Sequence, residues 1–146
     1  MAVREARAVW EGNVEQGQGT ISLGSDKLQV PYSFAARFED GAGSNPEELI
    51  GGAHAGCFSM ALAKELGDAG HPPVRIETTA RAHLEKSGNG FVIPKVELET
   101  EAEVSGVDDE TFQRIAQGAK QGCPLSRVLS AAEITLEAKL LSAART

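Results

Sequence analysis

The sequence predicts an α+β fold in which small antiparallel sheets pack around one central, buried helix. Stretches that alternate apolar and polar residues, typical of half-buried strands, occupy the first third of the chain and much of its second half. Between them lies one long helical segment that is apolar on nearly every face. The predicted order, β-β-β-α-β-β-α-β, lacks the regular β-α alternation of a doubly wound fold.

The first third of the chain contains three short extended segments. These segments, 6–10, 20–23 and 28–32, are separated by polar stretches that contain glycine. Such spacing is typical of hairpins, so we expect a small antiparallel sheet here.

The long helix is predicted to run from Pro46 to about Glu65. Asn45 suits the N-cap position, Pro46 suits the first helical position, and Glu48 lies three residues after the cap, as in a capping box. Residues 49–63 carry no formal charge and are mostly apolar. We therefore expect this helix to be buried on all sides, at the centre of the molecule or of an assembly.

The second half begins with two long alternating segments, 74–86 and 92–104, joined by a glycine-containing turn. They predict a hairpin with one solvent-exposed face. Pro94 predicts an edge or a bulge near the start of the second strand. Asp108 then caps a second helix that stops at Gly122. A short helix opens at Pro124 and a last strand follows.

Length and composition restrict the class of protein. The chain has 146 residues, which predicts a single domain over 1–146. Its net charge of −7 and its few aromatic residues argue against a nucleic-acid-binding protein. No apolar run has the length of an export signal or of a membrane span, so we expect a cytoplasmic protein without a membrane partner.

Two cysteines are the first candidates for chemistry. Cys57 lies in the middle of the apolar helix, and Cys123 lies at the start of the short helix, where free N–H groups stabilise a thiolate. In a reducing compartment a disulfide between them would be transient and catalytic rather than a permanent structural bond. The pair fits an attacking and a resolving thiol, although spacing alone leaves open that Cys57 is a small core residue and that the two never meet.

Arg37 is the candidate that would stabilise a thiolate. It lies within an apolar segment, where arginine is rarely buried without a partner, and Glu47 is a candidate partner. A surface arginine and a glutamate at a helix N-terminus explain the two residues equally well.

Three other functions are compatible with the same residues. His54, Cys57 and Cys123 could bind a metal, although the chain has three histidines and no C-x-x-C motif. His54 is better explained as a packed or hydrogen-bonding residue. A small-molecule carrier that uses the same apolar pocket, or a non-catalytic interaction module, would not need reactive thiols.

Two cysteine-centred motifs carry a resemblance to a known family. The chain resembles the OsmC/Ohr family, in its OsmC branch, over essentially all of its length. The matching segments are 45–62 (NPEELIGGAHAGCFSMAL), 122–126 (GCPLS), 10–12 (WEG), 17–20 (GQGT) and 37–39 (RFE).

The resemblance implies an intertwined α+β homodimer that reduces organic hydroperoxides without a cofactor or a metal. It implies that Cys57 is the peroxidatic cysteine and Cys123 the resolving cysteine, and that Arg37 and Glu47 complete the site. It also implies an external dithiol, small or lipoyl-type, as the reductant, and a role in defence against oxidative or osmotic stress.

The position of Glu47 adds a geometric constraint. Ten residues of unbroken helix separate Glu47 from Cys57 by about 15 Å. Either the helix breaks near Gly51-Gly52, or Glu47 serves a site across a dimer interface, and we favour the second alternative. We expect the walls of the substrate pocket to be apolar and to favour organic hydroperoxides; the residues expected there are Ala53, Phe58, Met60 and Ala61.

Overall fold

The chain contains two compact units, 1–49 and 50–146. The computed structural model describes residues 2–24 and 28–142, and only the backbone of Ser142. Each unit combines helix and strand, which confirms the predicted α+β class. That the two units form one domain stays a prediction.

The first unit contains a three-stranded antiparallel sheet of β1 (Ala6–Glu11), β2 (Gln18–Leu23) and β3 (Leu28–Tyr32). The predicted hairpins are therefore confirmed. Trp10, Gly19 and Tyr32 lie side by side across the three strands, and the two rings meet at a centroid distance of 5.4 Å. A Cβ at position 19 would come within 2.8 Å of both rings, so this ring contact depends on glycine.

A short helix that the sequence did not predict follows the sheet. Helix α1 spans Phe34–Phe38, and Ser33 caps it by accepting a hydrogen bond from the Ala36 N–H. Five residues are too few to produce a helical repeat in the sequence. The serine N-cap was the available signal for this helix.

The long helix α2 spans Pro46–Asp68 without a break. The predicted cap is confirmed, because Asn45 Oδ1 accepts a hydrogen bond of 2.8 Å from the Glu48 N–H. The alternative that the helix breaks near Gly51-Gly52 is wrong. At Gly51 the helix lies close to the next strand, where a Cβ would be 3.3 Å from the Ala80 carbonyl oxygen.

The chain by itself does not bury α2 on all sides. Within the second unit one stripe of the helix is buried, and it consists of Gly51, His54, Phe58, Leu62 and Leu66. Another stripe is exposed; it includes Gly52, Ala53, Gly56 and Met60, and Met60 is 77% exposed. The expectation of a fully buried helix is therefore wrong for a single chain, and an assembly would be needed to cover the exposed stripe.

The second unit contains a sheet in the order β4 (Pro73–Ser87), β5 (Gly90–Val104) and β6 (Glu133–Ser142). The β4–β5 hairpin is antiparallel, as predicted, but β6 pairs in parallel with β5. The prediction of purely antiparallel sheets is therefore wrong. The helical connection between β5 and β6 crosses over and brings the last strand back in the same direction.

The central strand β5 explains the position of Pro94. The register of the β4–β5 pair shifts between His83 and Glu85, opposite the segment that contains this proline. A bulge accommodates the missing N–H, and β5 pairs with β6 only from Lys95 onward, so the bulge and a local edge both agree with the structure.

The inner face of the sheet forms the core of the second unit. On β5 the buried residues alternate with exposed or half-buried glutamates, as predicted. The buried residues are Val96, Leu98, Thr100, Ala102 and Val104. Val92, the first residue of the alternating segment 92–104, is expected on the inner face by the same alternation; it is 45% exposed because it lies beyond the bulge. The core is completed by Phe58 and Leu62 of α2 and by the helix described next.

Two helices connect β5 to β6. Helix α3 (Asp109–Gly122) begins at Asp108, whose carboxylate accepts a hydrogen bond from the Thr111 N–H, as predicted. Helix α4 (Pro124–Val128) has Cys123 as its N-cap, which confirms the predicted start. Within the described ranges, no helix combines the length and the apolar character that a membrane crossing requires.

Candidate active site

The two cysteines meet in the second unit. The Sγ atoms of Cys57 on α2 and Cys123 at the start of α4 are 3.0 Å apart, and both are free thiols. A disulfide bond is about 2.05 Å long, so closing it needs a movement of only about 1 Å. The structure thus excludes the alternative that the cysteines never meet.

The surroundings of Cys57 oppose its ionisation within this unit. Burial, followed by its pairing with Cys123, raises the pKa of the Cys57 thiol, whereas a hydrogen bond from the Leu125 backbone N–H lowers it. The local helix environment therefore does not by itself hold Cys57 as a thiolate, because burial outweighs the hydrogen bond from the Leu125 N–H.

The free N–H groups at the start of α4 serve a different thiol from the one expected. The sequence placed them next to Cys123, the N-cap residue. The structure brings the Leu125 N–H to Cys57 instead. The first turn of α4 therefore presents to Cys57 both a second thiol and a hydrogen-bond donor.

Arg37 and Glu47 meet in the first unit. Arg37 Nε donates to Glu47 Oε1 at 3.0 Å, and Arg37 Nη2 donates to Glu47 Oε2 at 2.8 Å. This bidentate geometry is the strongest that a guanidinium and a carboxylate form. The hydrogen bonds from Arg37 to Glu47 raise the pKa of the guanidinium, which therefore stays charged. The pairing considered from the sequence is thus observed.

Asn45 connects the helices that carry this ion pair. Its Oδ1 caps α2, and its Nδ2 donates a hydrogen bond of 2.9 Å to the Ala36 carbonyl oxygen on α1. Arg37 follows Ala36 directly, and Glu47 lies in the first turn of α2. One side chain therefore fixes both backbone segments from which the ion pair is built.

An aromatic cavity of about 340 Å³ lies beside Arg37. It is lined by Trp10, Val14, Tyr32, Ser33, Phe34, Arg37 and Phe38. The Arg37 guanidinium carbon is also 5.4 Å from the centre of the Phe38 ring. No sequence pattern predicts this cavity, because its residues come from separate strands and from the short helix α1.

The pocket walls expected from the sequence need a correction. Phe58, one of them, is 0% exposed and belongs to the core, so it cannot contact a substrate. Ala53 and Met60 are exposed and Ala61 is partly buried, so these three stay a prediction for the substrate pocket.

His54 packs and forms a hydrogen bond, as predicted. It is fully buried, and its Nε2 lies 2.8 Å from Ser126 Oγ on α4. Burial lowers its pKa, which favours the neutral ring. Across residues 2–24 and 28–142, no three histidine, cysteine or acidic side chains come together in a way suited to a metal ion. The role of Ser126 was missed, although it lies three residues after Cys123 in a matching motif.

Comparisons with known proteins identify the family of the chain. The family model described as OsmC-like protein matches residues 39–139. The chain is 52% identical over 140 residues to the protein named peroxiredoxin OsmC from Escherichia coli (strain K12). That match covers 95% of this chain and 97% of the relative.

Solved structures show the same fold at low sequence identity. An OsmC-like protein of unknown function from Vibrio cholerae has a TM-score of 0.76 at 16% identity and covers 94% of this chain and 99% of its own. The organic hydroperoxide resistance protein OhrB of Bacillus subtilis has a TM-score of 0.71 at 23% identity, and the match covers 94% of this chain and 98% of OhrB. The resemblance seen in the cysteine motifs is therefore confirmed, and the chain belongs to the OsmC-like family, in the branch of the peroxiredoxin OsmC proteins.

Proposed function

We propose that the chain is a thiol-dependent peroxidase that reduces organic hydroperoxides to alcohols. A single observation carries the proposal: two free thiols from distant parts of the sequence lie 3.0 Å apart. A purely structural pair would need no such approach in a reducing compartment. The peroxidase class agrees with the relative named peroxiredoxin OsmC.

The proposed cycle begins at Cys57. Its thiolate attacks the terminal oxygen of the hydroperoxide, the O–O bond breaks, and the alkoxide leaves as an alcohol after taking up a proton. The sulfur is thereby oxidised to a sulfenic acid. The Cys123 sulfur then attacks this sulfur, the S–O bond breaks, and the oxygen leaves as water while the disulfide forms. An external dithiol restores both thiols by exchange.

The Arg37–Glu47 pair supplies the positive charge in this proposal. Among the described residues, the groups that change the pKa of Cys57 are Cys123 and the Leu125 backbone, and neither is a cation. A guanidinium held by a buried carboxylate would stabilise the thiolate and polarise the peroxide. Because α2 is continuous, about 15 Å of helix separates Glu47 from Cys57. We therefore propose that the pair acts on Cys57 of a second copy in a homodimer.

The aromatic cavity supports an organic rather than an inorganic peroxide as the substrate. Four aromatic rings surround a space of about 340 Å³, and the guanidinium of Arg37 lies at its wall. An alkyl or aryl group would gain from burial there, while its peroxide group would stay near the charge. Hydrogen peroxide has no such group to bury.

The reductant and the compartment complete the proposal. A Cys57–Cys123 disulfide has to be reopened in each cycle, so the enzyme needs a dithiol, small or lipoyl-type, and a reducing compartment such as the cytoplasm. Defence against oxidative or osmotic stress is the corresponding role.

A mass measurement with a free-thiol count tests the cycle. The reduced protein receives one equivalent of cumene hydroperoxide, alongside the Cys57→Ser and Cys123→Ser variants. We expect the wild type to lose both thiols and about 2 Da, and Cys123→Ser to accumulate an oxidised Cys57 that is heavier by about 16 or 32 Da. Cys57→Ser should not react. Two unchanged thiols in the wild type under excess hydroperoxide would overturn the proposal.

A further inference from the structure

A buried histidine that the proposed cycle does not use lies one helical turn before Cys57. His54 is 0% exposed, its Nε2 is 2.8 Å from Ser126 Oγ, and its Nδ1 has no hydrogen-bond partner among the described residues. Burying an imidazole costs free energy, and here only the hydrogen bond to Ser126 offsets part of that cost. The contact joins α2 to α4, the two elements that carry the cysteines.

The geometry of the two helices couples this contact to the thiol pair. On α2, His54 and Cys57 are three residues apart and therefore lie on the same face. Across from them, Cys123 and Ser126 are also three residues apart, at the N-cap and in the first turn of α4. The two pairs meet side by side, with distances of 2.8 Å and 3.0 Å.

Helix α4 has few other means of keeping its position. It has five residues, too few to be stable without tertiary contacts. Ser126 is its one residue classed as buried, Leu125 is partly buried against the core, and Val128 is 77% exposed. The helix is therefore positioned by the burial of its N-cap residue Cys123 in the core and by this single buried hydrogen bond to α2.

We propose that His54 and Ser126 are positioning residues that hold α4 against α2, so that Cys123 reaches an oxidised Cys57 before a second hydroperoxide does. The inference rests on the proposed peroxidase cycle. Neither residue touches the substrate or forms a bond during the reaction. Their effect is on the distance between the two sulfurs.

Two reactions compete for the sulfenic acid of Cys57. In the first, the Cys123 sulfur displaces the oxygen as water and forms the disulfide. In the second, another hydroperoxide transfers an oxygen to the sulfur, which becomes a sulfinic acid, while the hydroperoxide leaves as an alcohol. The ratio of the two products depends on how closely Cys123 is held, and it is independent of how fast the sulfenic acid forms.

The test compares Ser126→Ala with Ser59→Ala. Ser59 lies on the same helix as Cys57, and its hydroxyl forms a hydrogen bond of 2.7 Å with Thr78 Oγ1 on β4. Ser59→Ala is therefore a matched control, because it also removes one hydrogen-bonded hydroxyl but does not affect α4. The reduced full-length proteins receive about a tenfold excess of tert-butyl hydroperoxide, and intact mass separates the disulfide (about 2 Da lighter) from the sulfinic acid (about 32 Da heavier).

We expect the ratio of sulfinic acid to disulfide to rise about fivefold in Ser126→Ala, the factor that corresponds to one neutral hydrogen bond. His54→Gln, which keeps an amide able to bond Ser126, should stay closer to the wild type. Ser59→Ala should keep the wild-type ratio even where urea unfolding shows a similar loss of stability. Equal ratios in Ser126→Ala and Ser59→Ala would overturn the inference.

A second measurement separates this inference from the proposed function. The equilibrium constant for forming the Cys57–Cys123 disulfide against dithiothreitol requires no peroxide. It should fall about fivefold in Ser126→Ala and stay unchanged in Ser59→Ala. A wild type that is inert to hydroperoxide would refute the peroxidase cycle, whereas an unchanged constant in Ser126→Ala would refute only the positioning role.

Discussion

The thiol of Cys57 and the imidazole of His54 face the same physical problem one helical turn apart. Both are titratable groups on the face of α2 that packs against apolar side chains. Burial penalises the charged form of each, which raises the pKa of the thiol and lowers that of the imidazole. The thiol has to ionise in the proposed cycle and so needs an external cation, whereas the imidazole is best kept neutral.

The depressed pKa of His54 predicts a pH-dependent stability. The unfolded chain binds a proton at His54 near its ordinary value of 6.5, and the folded chain binds it only at lower pH. The unfolded state therefore holds more protons between these values, so the free energy of unfolding decreases as pH falls below about 6.5. Urea denaturation between about pH 7.5 and pH 5.5 measures this decrease.

The matched variant for this prediction is His54→Gln, which has no titratable group at the site. Its unfolding free energy should vary less over the same pH range than that of the wild type. The other histidines are present in both proteins, so the difference between the two curves reports His54 alone. Parallel curves would contradict the prediction.

Among the elements, the two shortest helices have the most specific tasks. Helix α1 carries Arg37, and helix α4 brings Cys123 and the Leu125 N–H to Cys57. Neither has enough residues to be stable alone, so each depends on a side chain of another segment. For α4 that side chain is His54, and for α1 it is Asn45.

Asn45→Ala tests the dependence of α1 and the start of α2 on one side chain. The change removes the cap of α2 and the hydrogen bond to Ala36, so the free energy of unfolding should fall by about 1–2 kcal/mol. Asn45→Asp keeps an oxygen for the cap but loses the donor to Ala36. Asn45→Asp should therefore recover about half of the free energy of unfolding that Asn45→Ala loses. Equal urea midpoints for the two variants would mean that the hydrogen bond to the cap contributes nothing and would contradict the prediction.

For the whole molecule, the exposed stripe of α2 is the feature that a single chain leaves unexplained. Its residues are small or apolar, and Met60 is largely exposed. A second copy packed there would bury this surface, in agreement with the proposed homodimer. The same assembly would bring the Arg37–Glu47 pair of one subunit to the thiols of the other.

Mixed dimers test which subunit supplies Arg37. Dimers of Cys57→Ser alone and of Arg37→Ala alone should both be inactive. When the two variants are co-expressed, a mixed dimer has one site that combines an intact Cys57 with an intact Arg37 from the other subunit. Random pairing should then restore about one quarter of the wild-type peroxidase activity. No recovery would mean that each subunit uses its own arginine.

The control for this experiment mixes Cys57→Ser with Cys123→Ser subunits. Both thiols of a site come from one chain, 3.0 Å apart, so this mixture contains no complete pair. It should stay inactive in turnover with a dithiol. Size-exclusion chromatography checks that every variant forms the same assembly as the wild type.

Local signals allowed much of the fold to be predicted. The caps at Asn45 and Asp108 and the start of α4 at Pro124 all depend on interactions within a few residues. Such interactions are encoded in neighbouring sequence positions, and for that reason these boundaries were predicted correctly. Helix α1 was missed because five residues are too short for a periodic pattern.

The sequence by itself determined the α+β class, the family, both cysteines and the candidate pairing of Arg37 with Glu47. Only the tertiary structure decided that β6 runs parallel to β5, that Phe58 is a core residue, and that His54 bonds Ser126, 72 positions away. The first group depends on side-chain chemistry and short-range spacing. The second depends on which distant segments pack together, and that choice is made by burial of the whole core rather than by any local pattern.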